Sequence, residues 1–449
     1  MSEAFFGTDG IRGAVGVEPI TPQTIVHLGW ALGSVIKKHY GTGSVLVGKD
    51  TRVSGYLLES SMEAGLASAG MDVVMLGPLP TPAIAYLTQT ARAHAGVVIS
   101  ASHNHYTDNG IKFFSPIGTK ISDELQDEIE ALMQQDIQVV PSEQLGKAYR
   151  MDDAVGRYVE FCKGTIPRRM DFKGMKVALD CANGAAYQSA PTVFHELGAD
   201  LQVINNRPDG FNINNQCGST HIEGLQKLVL DKKCDVGIAF DGDADRVLMV
   251  DAKGNVVDGD QLLFVIANSQ QQQGRLKGGV VGTLMSNLGM EKALAERDIP
   301  FIRAKVGDRY VMRELIQRDW ILGGESSGHI ICLDKTTTGD GLVSALQVLT
   351  QIKFMDKPLH ELTTEMPMYP QTMINVRLPQ GAVAAEVVGM SAVKDAVKVV
   401  EDELSDTGRV LLRPSGTEPV IRVMVEGQDE EQVQRCCEAI SNTVSQLLA

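Results

Sequence analysis

The stretch "GIAFDGDADRVLMVD" delivers Asp241, Asp243 and Asp245 at alternating positions straight after an apolar run, Val236 to Phe240. Carboxylates packed this closely repel one another and hold on to protons unless a cation lies among them. Oxygen donors alone suit a hard divalent ion, Mg2+ first. An EF-hand is the obvious rival and it fails: that loop needs Gly sixth and Glu twelfth, where this chain has Arg246 and Ala252. A solvated acidic turn would share the composition, but a strand aims this loop and Arg246 follows at once, which favours a metal.

A second stretch, "GVVISASHNHYTDNGIK", ends the apolar run Val97 to Ile99 in Ser100 and Ser102, with Lys112 ten residues beyond Ser102. Its Asp108-Asn109-Gly110 has the composition of a turn, and the whole could be an ordinary loop. "SASHN" does not fit the nucleophile elbow of acyl transfer, and "HNH" at His103 to His105 has no third ligand nearby for zinc. "GSVLVGKD" mimics a phosphate-wrapping loop but ends in Asp50 and has an apolar strand inside. In "RPSGTEPVIR", Arg413, Ser415, Gly416, Thr417 and Arg422 have the composition of a phosphate cradle, though equally of a Pro-Gly hairpin turn. "GGESSGH" alternates Glu325, Ser327 and His329, which would suit adjacent hydroxyls of a sugar, and "FGTDGIRG" sets Arg12 between glycines.

One assumption makes these pieces cooperate: Ser102 carries a phosphoryl group. A cation on Asp241, Asp243 and Asp245 would then neutralise it and polarise its transfer. The Arg413–Arg422 stretch would hold a second phosphate at the far end of a substrate, and Glu325 and Ser327 would grip its middle. Lys112 would serve as general acid/base on a sugar oxygen or as a charge clamp.

The elements that must position these loops follow one plan three times: apolar strand, polar turn, amphipathic helix, second strand. The first copy runs "SVLVGKDTRVSG", "YLLESSMEAGLASAG", "MDVVMLG"; the second "MKVALDCANGAAYQ", "SAPTVFHELGA", "DLQVIN"; the third "GGVVGTLMSNLG", "MEKALAERD", "IPFIRAKVG". This is the βαβ pattern, repeated about every hundred residues, and ligands sit at the carboxyl ends of such strands. The expected fold is α/β: three related α/β domains with mixed sheets (1–150, 151–256, 257–368) and a smaller α+β domain (369–449), four domains around a central cleft. In the last, strands "RVLLR" and "VIRVMVE" precede a helix with Val433, Cys436, Cys437, Ile440, Val444 and Leu447 on its apolar face. "PQGAVAAEVVGMS" reads as a mobile surface connection.

A length of 449 residues needs several cores. A net charge of −15 argues against a nucleic-acid partner but not against small anions, which a local Arg and Lys cluster can bind. The N-terminal "MSEAFFGTDG" lacks the regions of a secretory signal, and no apolar run approaches the ~20 residues that span a bilayer. The 7 cysteines form no C-x-x-C pair, as expected of reduced thiols in a cytoplasmic protein.

"SASHN", "DGDADR", "GESSGH" and "RPSGTEP", in this order, resemble the α-D-phosphohexomutases, and the similarity runs end to end. "FGTDGIRG", "DNGIKFF", "GTLMSN", "AKVGDRYV" and "LDKTTTGDG" resemble the branch of that family acting on glucosamine phosphates. The resemblance implies a phosphoserine at Ser102 and Mg2+ held by that phosphate with Asp241, Asp243 and Asp245. It implies a sugar-reading loop at Glu325 and Ser327 with His329 close by, and a distal phosphate loop at Arg413, Ser415, Gly416, Thr417 and Arg422. Lys112 matches an acid/base lysine, and Arg12 and Arg246 fall at the reaction centre.

The implied reaction interconverts glucosamine 6-phosphate and glucosamine 1-phosphate through a hexosamine 1,6-bisphosphate, also the activator, and feeds UDP-N-acetylglucosamine and cell-wall synthesis. The alternative is the same mechanism on mannose or glucose phosphate. A cytoplasmic homodimer with a mobile fourth domain and no membrane partner is further implied. Three positions depart from the family pattern: His105 stands where Pro is usual, and Ser326 where amino-sugar members show a larger amide. Ala244 replaces a common Gly, which implies that this position needs no positive φ.

Overall fold

The computed structural model describes residues 5–7, 10–379, 382–414 and 419–448. The first sheet holds β1 (Ile11–Ala14), β2 (Ser44–Lys49), β3 (Asp72–Pro78), β4 (Ala95–Ile99), β5 (Asp108–Phe114) and β6 (Ala148–Arg150), in the order β1-β5-β4-β2-β3-β6. The second holds β7 (Lys176–Asp180), β8 (Asp200–Ile204), β9 (Val236–Phe240), β10 (Val247–Asp251) and β11 (Val256–Val257), in the order β11-β10-β9-β7-β8. The third holds β12 (Val280–Thr283), β13 (Phe301–Ala304), β14 (Leu322–Gly324) and β15 (Ile330–Cys332), in the order β13-β12-β14-β15.

One unit recurs in all three: β5-β4-β2-β3, β10-β9-β7-β8 and β15-β14-β12-β13. The two strands of each βαβ copy pair in parallel: β2 with β3, β7 with β8, β12 with β13. Beside them lies a third parallel strand, β4, β9 or β14, which turns back into an antiparallel neighbour. β4 and β9 are buried from end to end, as apolar strands covered on both faces must be. The fourth sheet holds β16 (Gln371–Arg377), β17 (Gly408–Pro414) and β18 (Val420–Gly427), ordered β16-β18-β17 and antiparallel throughout.

A single apolar interior runs through the first three sheets, from Leu46 and Phe114 to Phe240, Leu263 and Leu346. The fourth sheet keeps a separate core around Val393, Ile421, Val433 and Cys437. It meets the third through polar contacts: buried Glu426 accepts from the Leu288 N–H (2.8 Å) and from Arg409 Nε (2.6 Å), and Arg409 also donates to the carbonyls of Leu284 and Ser286. Among the described residues no helix is long and apolar enough to cross a membrane, and all the cysteines are free and buried.

Three sequence expectations are corrected. Asp108-Asn109-Gly110 opens strand β5 rather than turning the chain, and Gly110 pairs with Arg12 of β1; the reversal occurs earlier, at the left-handed Ser102. Leu447 is 42% exposed, and in the last turn of the helix Glu430–Leu448 it is Leu448, not Leu447, that packs against the fourth core. Residues Ala384–Gly389, expected in a surface connection, form a short helix that buries Val387 in the fourth core.

Next to the third-to-fourth junction, Asp260 accepts the Asn287 N–H at 2.8 Å while its other carboxylate oxygen is buried without a partner. Burial and neighbouring Asp258 push its pKa up to about 7. The folded chain therefore keeps a proton that the unfolded chain releases near pH 4, so stability falls as pH rises between these values and then levels off. Asp260→Asn is expected to melt higher than the parent, with a gap that widens by roughly 2–4 °C between pH 5 and pH 8. Thermal melts across that range check it; a constant gap would refute it.

Candidate active site

Each of the three recurring hairpins carries one of the loops singled out by the sequence. Ser102 lies between β4 and β5, the three aspartates between β9 and β10, and Glu325 to His329 between β14 and β15. Parallel registry of β4, β9 and β14 within their own sheets sends each chain out at a carboxyl end, where α/β folds bind ligands.

Ser102 is 1% exposed and sits at φ +52°, a left-handed conformation that costs a residue with a Cβ about 1–2 kcal/mol. Its Oγ donates to Asp241 Oδ2 at 2.6 Å. The serine loop and the aspartate loop press together at Gly242, where a Cβ would stand 2.5 Å from the Ser102 carbonyl oxygen. Ala244, contrary to the sequence expectation, does adopt positive φ, +57°. Its backbone is held there by bonds from its N–H to the Asp241 carbonyl (3.1 Å) and from the Gly341 N–H to its own carbonyl (3.0 Å).

Asp241, Asp243 and Asp245 are all buried, with one oxygen of each within 4.8 Å of the others. Lys112 Nζ donates to Asp243 Oδ2 (3.0 Å) and Asp245 Oδ2 (3.3 Å), and Thr81 Oγ1 to Asp243 Oδ2 (2.7 Å). Burial, then Asp243 and Asp245, push the Asp241 carboxyl well above the ordinary range. Burial works the same way on Asp245, but Lys112 and His329 beside it hold that carboxyl well below. Oδ1 of Asp243 and Oδ1 of Asp245 are buried without a hydrogen-bond partner. The bare Oδ1 of Asp243, the carboxylates of Asp241 and Asp245 and a serine oxygen form an all-oxygen donor set that fits a hard divalent ion.

Above this floor opens a cleft of about 980 Å³ to which all four sheets contribute. Arg12 and His103 line it from the first, Asp245 and Arg246 from the second, and Arg422 from the fourth. The third contributes Glu325, Ser327 and His329, the whole expected sugar-reading set. His329 is 3% exposed, with Nδ1 3.6 Å from Asp245 and Nε2 3.7 Å from Asp308. Burial opposes its charge, but Asp245, Asp308 and Glu325 raise its pKa to about 9. His103 goes the other way, to about 4, through burial and the nearby Arg246 and Arg12.

Lys112 is 3% exposed, with its Nζ on the Asp243 and Asp245 carboxylates. Arg413 lies directly across β17–β18 from Arg422 but outside the cleft lining. Ser415, Gly416 and Thr417 lie outside the described residues.

Sequence reading missed three contributors. Glu325 Oε1 accepts the Gly307 N–H at 2.9 Å, so Val306, Gly307 and the first turn of the helix Asp308–Arg318, inside the quoted "AKVGDRYV", form part of the cleft wall. Asn214 Nδ2 donates to the carbonyls of Ser102 (2.8 Å) and Asn104 (3.0 Å). Arg52, two residues beyond the stretch dismissed as a mimic of a phosphate loop, reaches the same loop. For Asn214 no local signal exists, since it lies 112 residues from Ser102.

Comparison with known proteins follows the same four-part division. Phosphoglucomutase/phosphomannomutase alpha/beta/alpha domains I, II and III match residues 3–139, 157–254 and 258–369, and the C-terminal domain of that family matches 373–443. An X-ray structure of a phosphoglucomutase/phosphomannomutase family protein from Burkholderia thailandensis shares the fold at TM-score 0.82 and 24% identity, over 99% of this chain and 98% of that one. The Aspergillus fumigatus N-acetylphosphoglucosamine mutase, solved with GlcNAc-6P and magnesium, shares it at TM-score 0.70 and 16% identity, over 99% and 96%. The architecture is thus the phosphohexomutase fold. The phosphoglucosamine mutases of Pseudomonas putida and Hahella chejuensis are each 57% identical to this chain, over 100% and 97% of both partners respectively. The chain belongs to the phosphoglucosamine mutase family.

Proposed function

We propose that this chain interconverts glucosamine 6-phosphate and glucosamine 1-phosphate, with Ser102 Oγ giving and taking back the phosphoryl group. The observation that carries the reading is a serine hydroxyl 2.6 Å from a buried carboxylate triad, beneath a cleft lined at a distance by Arg422. Asp241, Asp243 and Asp245 would hold Mg2+, which when bound neutralises phosphate charge and polarises the transferred group. Lys112 offsets part of the repulsion within the triad, and Arg12 and Arg246 stand on the cleft wall where transferred charge needs guanidinium partners.

Glu325 and Ser327 face the sugar ring, His329 stands between Asp245 and Asp308, and Arg422 receives the phosphate that is not reacting. The intermediate is a hexosamine 1,6-bisphosphate that turns over in the cleft, so one serine serves both ends of the sugar. The cleft volume lies in the range of small-molecule sites, roughly 300–1,000 Å³. A site in the cytoplasm, a homodimer and a fourth domain that moves remain part of this reading.

The second reading keeps the mechanism and changes the sugar to mannose or glucose. Ser326, whose carbonyl accepts the Gly259 N–H at 3.0 Å, lacks the amide of amino-sugar members, and this departure is what calls for testing the sugar. The deciding experiment is kcat/KM for glucosamine 6-phosphate, glucose 6-phosphate and mannose 6-phosphate, with Mg2+, a trace of hexose 1,6-bisphosphate and protein shown by mass to carry one phosphate. An amino-sugar preference of tenfold or more, about 1.4 kcal/mol in the transition state, is expected. A preference for either neutral sugar would refute it.

A further inference from the structure

The segment "GKDTR", Gly48 to Arg52 at the end of β2, has no part in the mechanism above, yet it holds a fully buried guanidinium. Arg52 Nε donates to Asp50 Oδ2 at 2.9 Å, and the same carboxylate oxygen accepts from Ser100 Oγ at 2.6 Å. Ser100 Oγ in turn accepts the Ser102 N–H at 2.9 Å, while Arg52 Nη2 donates to the Ser102 carbonyl at 3.0 Å. These contacts close a ring that begins and ends on the two backbone groups of one residue, Ser102.

The remaining donors of Arg52 extend the grip to the carbonyls of Asn104 (3.0 and 2.9 Å) and His105 (2.8 Å). From the second domain, Asn214 Nδ2 reaches the Ser102 and Asn104 carbonyls as well. The directions of a residue's N–H and C=O are set by its φ and ψ, so a ring through both admits one backbone conformation. That conformation is φ +52°, the one that points Oγ at Asp241. Only a planar fork with several fixed donors can serve one carboxylate and three carbonyls together; an ammonium on a flexible stem cannot.

We propose that Arg52, Asp50 and Ser100 form a positioning ring that holds the phosphoryl-carrying Ser102 in its left-handed conformation, with Asn214 closing it from the neighbouring domain. The proposal rests on the reading of Ser102 as the phosphoryl carrier.

The test compares the full-length parent with Ser100→Ala, Arg52→Lys and Ser102→Ala. Phosphate uptake from glucose 1,6-bisphosphate is followed by intact mass, kcat and KM are taken with glucosamine 6-phosphate, and each protein is melted thermally. Misplacing a reacting group by an ångström costs on the order of a hundredfold. Ser100→Ala is therefore expected to lose about 30-fold and Arg52→Lys about 100-fold in kcat and in phosphate uptake alike, with KM within about threefold. A purely structural role would instead lower the melting point and the folded fraction at unchanged kcat per folded molecule, and would overturn the proposal. So would parental kcat and uptake in Ser100→Ala, which removes one oxygen and decides the matter if Arg52→Lys does not fold. Ser102→Ala separates the two readings: if it retains turnover, the assignment of Ser102 falls and the ring with it. If it is inactive while Ser100→Ala is unimpaired, the ring alone falls.

Discussion

Ser102→Ala is expected to abolish the interconversion, lowering kcat by at least about 10⁴-fold, the scale on which loss of a covalent nucleophile is felt. The nearest hydroxyl cannot stand in: Ser100 Oγ is committed to Asp50 and to the Ser102 N–H. Water could accept a phosphoryl group but could not keep it for return to the other end of the sugar. Added 1,6-bisphosphate is no rescue, because it too needs an acceptor on the enzyme. The fold should survive: Ala fits the left-handed region about as well as Ser does, as Ala244 at φ +57° demonstrates. Turnover in the presence of bisphosphate, with a mass spectrum for bound phosphate, checks this. A folded Ala variant with parental turnover would remove Ser102 from the chemistry.

The three βαβ copies were legible because each strand is a run of apolar residues long enough to be buried on both faces, as Val236 to Phe240 is. Their helices were legible from periodicity and from the Gly or Asp at their ends. What the pattern could not convey was the return strand of each hairpin. β5 begins with Asp-Asn-Gly, which has turn chemistry, yet Asn109 and Gly110 pair with Gly13 and Arg12 of β1, and the Gly110 carbonyl accepts the Ser100 N–H just past β4. Gly110 is there for close approach rather than for turning: a Cβ would lie 2.7 Å from the carbonyl oxygens of both Ile11 and Ser100. Tertiary packing overrode the local signal.

In the site, residues whose type is itself unusual were found. Alternating aspartates after an apolar strand are costly without a function, so they stood out in the sequence. Residues that act by holding backbone were not found, because Arg52 and Asn214 carry no distinctive spacing and meet Ser102 only in the fold. Ala244 shows the opposite failure. Its Cβ, in place of a Gly, argued against positive φ, but two backbone hydrogen bonds fix it there.

The second large effect is expected at Asp243, and it should appear both in catalysis and as a crossing of two melting curves. Asp243 Oδ2 already takes Thr81 and Lys112, while Oδ1 is buried and bare. Asn at this position can still accept from Thr81 and Lys112, but it turns an NH2 group towards the cation instead of an anionic oxygen. Losing one anionic ligand from the triad should cost about 10²–10³-fold in kcat, the range that a displaced electrostatic partner costs. Stability should move in opposite directions with and without metal. In chelator-treated protein the triad repels itself, and burial with Asp243 and Asp245 is what drives Asp241 up; removing one charge leaves Asp243→Asn no less stable than the parent. Adding Mg2+ should then raise the parental melting point, by about 2.7 kcal/mol of stabilisation at a hundredfold excess over the dissociation constant, and barely move the variant. Thermal melts of both proteins, chelated and with Mg2+, read the crossing directly. Parental turnover in Asp243→Asn, or a parent whose melting is blind to Mg2+, would make the three carboxylates an acidic turn held by Lys112 and leave the phosphoryl transfer without its cation.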